Sequence, residues 1–127
     1  MKKIINTTNA PAPIGPYNQA VMAGSTLYIS GQIPINPVTN KLISSSISDE
    51  TTQVMENLKA VLKEAGMTFE NVIKSSIFLS DLNQFDAVNN VYKGYFNEAT
   101  APARECVEVS RLPKSVNIEI SMIAVEL

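Results

Sequence analysis

Histidine and tryptophan are absent from the chain, and cysteine occurs once, at Cys106. Without histidine, a Ser-His-Asp hydrolytic triad cannot be built. Structural zinc usually takes four Cys or His ligands and catalytic zinc three, commonly including His, so the usual zinc sites lose their donors. The same shortage excludes the zinc-dependent nucleoside deaminase signature, which needs a histidine and paired cysteines. A lone cysteine forms no internal disulfide, and nothing points to an oxidising compartment. Arginine is scarce too, occurring only as Arg104 and Arg111. Ten basic residues against twelve acidic ones leave a formal charge of -2. No basic field gathers RNA or DNA, so nucleic acid is not an expected partner. No run approaches the roughly 20 apolar residues that span a bilayer. The opening Met1-Lys-Lys-Ile-Ile-Asn has too few apolar residues for a signal peptide. A cytoplasmic address, without a membrane partner, is the expectation.

What is present suits a packed core. The 127 residues are 45% hydrophobic and 17% charged, a size and balance that predict one domain over residues 1–127. Seven prolines are scattered as punctuation, and no repeat or low-complexity tract appears. Gln19 to Met22 and Thr26 to Ser30 read as extended runs joined through Ala23-Gly24-Ser25, and Pro34 and Pro37 end the second. Between Asp49 and Ala65, apolar Val54, Leu58, Val61, Leu62 and Ala65 form a helical stripe, with Ser48 as N-cap and Gly66 as the stop. Asn71 to Ser80 reads as a strand. Asp81 to Gln84 has capping-box spacing, and Phe85, Val88, Tyr92 and Phe96 carry a second helix to about Glu98. Ala103 to Ser110 and Val116 to Leu127 read as two closing strands around the turn Leu112-Pro113-Lys114-Ser115.

This order predicts an α+β fold, a mixed β-sheet with two helices packed on one face. The other face then lacks a cover. In the last strand Val116, Ile118, Ile120 and Met122 lie on one side, but Ile123 and Val125 lie on the other. A large apolar face is unusual on a soluble monomer, so a closed homo-oligomer packing sheet against sheet is expected.

Several residues carry chemical potential. The planar guanidinium of Arg104 at a strand start matches a small carboxylate through two parallel hydrogen bonds, or forms a salt bridge at a surface or seam. Glu119 stands in an otherwise apolar strand and needs a cation, a polar pocket or water. It reads either as a general base for a water molecule or as a structural carboxylate at a subunit seam. Asn89, on the apolar face of the second helix, must find partners at a loop, a strand edge or a pocket. Tyr17 follows Gly15-Pro16 and reads as a plug in the core or interface. Cys106 lacks a base and reads as an inert thiol whose backbone lines a pocket. Strand alternation turns Glu105 away from Arg104.

The stretches Ile14-Gly-Pro-Tyr-Asn-Gln-Ala20, Ser30-Gly-Gln-Ile-Pro34, Val88-Asn-Asn-Val-Tyr92, Pro102-Ala-Arg-Glu-Cys-Val-Glu-Val109, Arg111-Leu-Pro-Lys114 and Ile118-Glu-Ile120 resemble the Rid family, also called YjgF. The likeness spans essentially the whole chain. It implies a chorismate-mutase-like fold and a homotrimer with a site in each of three clefts between subunits. The implied activity is hydrolysis of reactive 2-imino acids, 2-iminobutanoate and 2-iminopropanoate, to 2-oxo acids and ammonia. By resemblance Arg104 holds the substrate carboxylate, Glu119 activates water, and the backbone at Gly31 and Cys106 orients the substrate. Tyr17, Ser30 and Asn89 match further positions lining the family's cleft. No metal or coenzyme is implied, because a protonated imine is already electrophilic. Pyridoxal phosphate belongs instead to the dehydratases that generate such imines. The rival reading is a non-catalytic trimer that senses a small carboxylate, or a chaperone-like factor.

Overall fold

The computed structural model describes all residues from Met1 to Leu127. Eight strands and two α-helices follow one another as β1 (Lys2–Ile5), β2 (Ala20–Ala23), β3 (Thr26–Gln32), β4 (Ile35–Asn36), β5 (Lys41–Leu42), α1 (Ile47–Glu64), β6 (Val72–Leu79), α2 (Phe85–Tyr92), β7 (Ala103–Glu108) and β8 (Ile118–Val125). Six strands form one sheet in the order β1-β2-β3-β8-β6-β7, while β4 and β5 pair separately. Only β6 and β7 run parallel, joined by the crossover that contains α2. β6 therefore lies between β7 and β8, which are consecutive in sequence yet do not pair.

The α1 stripe is buried as its spacing requires: Val54, Leu58, Val61 and Leu62 are all fully enclosed. Each such side chain contributes about 1.5 to 3 kcal/mol relative to leaving it in water. The cap, however, is Ser46 rather than Ser48. Ser46 has extended dihedrals, and its hydroxyl accepts the Asp49 N–H at 3.0 Å. Ile47 thus joins the helix and packs against the core, which moves the start back by two residues. At the other end Gly66 adopts φ +75, Gly66 N–H donates to Lys63 and Met67 N–H donates to Leu62. Glycine is suited to that left-handed turn.

The second helix is shorter than its stripe suggests. α2 ends at Tyr92, and tighter 3-10 turns flank it at Leu82–Gln84 and Lys93–Tyr95, with another at Glu98–Thr100. Asp81 accepts the Asn83 N–H at 2.9 Å, but Gln84 makes no reciprocal cap. Phe96 still reaches the core, from beyond the helix, through Tyr92 and Phe69. The sequence pattern also missed β1 and the small β4–β5 pair.

Both helices cover one face of the sheet, where Leu27, Ile77, Ile118, Ile120 and Met122 meet α1 and α2 in a continuous core. The opposite face is open. Along β8 burial alternates, with Ile118, Ile120, Met122 and Ala124 enclosed and Glu119, Ser121, Ile123 and Val125 only partly covered. Cross-strand register sets Ile4, Val21, Tyr28 and Ile123 in one row on that open face, and Glu119, Phe78 and Val107 in another.

Candidate functional site

Arg104 occupies the second position of β7, in Cα register with Ser75 of β6. Its side chain turns to the helix-covered side and meets one face of α2. Nη1 donates to Asn89 Oδ1 at 2.8 Å. The guanidinium carbon stands 4.9 Å from the centre of the Tyr92 ring and 5.6 Å from that of Phe85. Phe85, Asn89 and Tyr92 are separated by four and three residues, so one helix face presents all three. Asn89 thus finds its partner in the guanidinium. Arg104 and Asn89 border an open cleft of about 880 Å³, which Tyr92, Phe96, Ala101 and Pro102 also line. Tyr95, between the lining residues Gly94 and Phe96, donates its hydroxyl to Glu56 at 2.8 Å. Burial and the Glu56 carboxylate push that phenol up to about 12.

Cys106 lies two residues further along β7 and packs at the margin of the core. Burial pushes its thiol up, with Arg104 opposing. It is therefore a poor thiolate at neutral pH. Glu108, next on this face, accepts the Leu82 N–H at 3.0 Å and ties β7 to the turn before α2. Glu105 points the opposite way. On the open face it pairs with Lys74 at 2.8 Å and accepts a hydrogen bond from Ser76, so it does not compete for Arg104.

A second group of residues gathers at β3 and β8. Between the pairs Ile29–Met122 and Gln32–Ile120, Ser30 and Gly31 together oppose Ser121, a β-bulge. The bulge leaves both Ile29 and Gln32 on the buried side. Glu119 lies across Gly31 so closely that a Cβ there would stand 2.5 Å from Oε2 and 2.7 Å from Cδ. Only a residue without a side chain leaves that space. Burial pushes the Glu119 carboxyl above its ordinary range. No cation of the same chain pairs with it, the sole ion pair being Lys74–Glu105. Ser30 Oγ donates to Asn18 O at 2.7 Å and holds the segment leading to Tyr17. Tyr17 does not plug the core: it is 48% exposed, with its ring over Gly15 and its hydroxyl accepting the Ile14 N–H.

The residues singled out from sequence thus fall into two sets. Asn89, Arg104 and Cys106 face the helix side of the sheet at its β7 edge. Gly31 and Glu119 meet on the open face, with Ser30 in the same bulge and Tyr17 on the segment Ser30 anchors. β6 and the thickness of the sheet separate Arg104 from Glu119 within one chain. Sequence periodicity marks Tyr92 and Phe85 only as apolar positions of the second helix and Ser75 only as part of a strand. The signal that could have found them is Asn89, a polar residue flanked by two aromatics on one helical face.

Likeness to known proteins extends over nearly the whole chain. A family model described as endoribonuclease L-PSP matches residues 7–126. The chain is 54% identical over 124 residues to a RutC family protein of Pyrococcus horikoshii, covering 98% of each. It is 44% identical over 126 residues to the 2-iminobutanoate/2-iminopropanoate deaminase of Bos taurus, covering 99% of this chain and 91% of the relative. The crystal structure of E. coli TdcF with bound serine superposes with a TM-score of 0.92 at 45% identity, covering 98% of this chain and 99% of that one.

Proposed function

The chain belongs to the endoribonuclease L-PSP family, also called YjgF or Rid, and from that premise we propose that it hydrolyses small 2-imino acids such as 2-iminobutanoate and 2-iminopropanoate to 2-oxo acids and ammonia. One observation carries the reading. A guanidinium oriented by Asn89 and aromatic rings and a half-buried carboxylate without a cation stand on opposite faces of one sheet. Each lacks its complement within the chain. They meet when the open face of one copy approaches the β7 edge of another, in a homotrimer whose crevices lie between subunits.

In such a crevice Arg104 holds the substrate carboxylate through parallel N–H···O bonds. Glu119 of the neighbouring copy accepts a proton from water as the water oxygen bonds to the imine carbon. The C=N π pair passes to nitrogen, giving a carbinolamine. Glu119 returns that proton to the nitrogen, and as the C–N bond breaks and ammonia leaves with the electron pair, the carboxylate takes the hydroxyl proton while the carbonyl forms. The imine hydrolyses unaided in water, so alignment of one water molecule against a fixed substrate supplies the acceleration. Tyr17, Ser30, Gly31 and Cys106 shape the crevice. Dehydratases that use pyridoxal phosphate are the chemical class that supplies such imines.

The test couples a dehydratase to release of 2-oxo acid in the presence of semicarbazide, which competes for the imine. Arg104→Ala and Glu119→Gln should each reduce the acceleration by about a hundredfold or more. Full activity in either variant defeats the assignment. Serine bound to a relative of the same fold favours a second reading, a binder of small amino or oxo acids without catalysis. On that reading the unaltered protein binds the carboxylate but does not accelerate release, and Glu119→Gln binds equally well.

A further inference from the structure

Ser75 sits fully buried in the middle of β6, directly beside Arg104 in the parallel pairing. A hydroxyl at that depth must find a partner. Its partner is Tyr92, whose phenol donates to Ser75 Oγ at 2.9 Å. Tyr92 is itself 5% exposed, and its ring faces the Arg104 guanidinium. Phenylalanine would supply the same ring to the core, so packing alone does not require the phenol. What the hydroxyl adds is a tether from a short helix to the central sheet, which fixes the plane of the ring. Attraction between a guanidinium and a ring depends on that placement. Burial pushes the phenol up, so it keeps the proton it donates.

We propose that Ser75 and Tyr92 are positioning residues for carboxylate capture: the serine fixes the ring, and the ring together with Asn89 holds the guanidinium of Arg104 ready for substrate. The inference rests on the imine-hydrolase reading and deepens it. One of the five guanidinium N–H donors is spent on Asn89. The pair limits the orientations open to the others before substrate arrives, so its contribution is to binding and not to the water attack.

Kinetics of Tyr92→Phe, Ser75→Ala and the double variant test this, using imine made in situ and temperatures well below each melting midpoint. In each single variant KM should rise about fivefold while kcat stays within about twofold, as expected for losing one preorganising hydrogen bond. The double variant should match the singles, because all three remove the same bond. An unchanged KM in Tyr92→Phe, additive effects in the double variant, or a fall in kcat at constant KM overturns the inference. Arg104→Ala, measured alongside, separates the two levels. If it is inactive while Tyr92→Phe and Ser75→Ala keep the parent KM, positioning alone fails. If Arg104→Ala is fully active, the hydrolase reading fails and takes the positioning role with it.

Discussion

Glu119 pays for its position over Gly31 in desolvation, and pH exposes that cost. Its folded-state pKa is raised, so in the window above the ordinary glutamate range the folded chain binds more protons than the unfolded one. Stability is therefore greatest below that window and falls as pH rises through the raised value. Glu119→Gln removes the titration, so melting midpoints followed against pH should decline through this window in the parent and stay level in the variant. The opposite slope would place a cation against Glu119. Gly31→Ala probes the same contact sterically. The backbone at Gly31 is not left-handed, so the chain tolerates alanine, but the new methyl must displace the carboxylate. Activity should fall by about a hundredfold, the scale of an ångström-level misplacement, with circular dichroism unchanged. At this scale the sequence was partly legible. Arg104 and Glu119 stood out because arginine is rare and a charge in an apolar strand needs a reason. The closeness of Glu119 to Gly31 was not, since it depends on a two-against-one bulge that no local pattern announces.

Between residue and molecule, the elements differ in how much of them local chemistry dictates. The α1 stripe is long and regular, and its exit at Gly66 was legible because few other residues adopt that turn. Its entry was misplaced, since Ser44 to Ser48 offers several serines with comparable capping ability and tertiary packing of Ile47 selects Ser46. Ser46→Ala should cost about 1 kcal/mol, lowering the melting midpoint by about 4 °C. Ser48→Ala, inside the first turn, should change it by less than half as much. α2 fails as a long helix for a different reason. Gly94 follows Lys93 where the helix would continue, and the chain tightens into a 3-10 turn that carries Tyr95 toward Glu56. That shortening matters for the cleft, because the residues released from the helix become its outer wall. β1 escaped notice since its four residues begin at Lys2-Lys3 and pair only at the sheet edge.

For the whole molecule, the open face and the separated site groups make one demand. Ile4 and Tyr28 are 42% and 51% exposed on the same face that carries Glu119, and such a surface calls for cover. The sequence pattern foresaw that bare face, because Ile123 and Val125 alternate against Ile120 and Met122. It could not foresee that Arg104 and Glu119 point through opposite sides of the sheet, since that follows from the register that aligns Arg104 with Ser75 and Met122, three residues from Glu119. If the crevice draws Arg104 from one copy and Glu119 from the next, two dead proteins can rescue each other. Arg104→Ala and Glu119→Ala subunits, unfolded together in equal amounts and refolded, distribute at random around a closed ring. About half of the crevices receive an intact Arg104, and about half of those face an intact Glu119, so about a quarter of parental activity should return. Separately refolded variants mixed afterwards should stay inactive until subunits exchange. If both groups served the same crevice from one chain, every crevice in the mixture would lack one of them, and no activity would return at any mixing ratio.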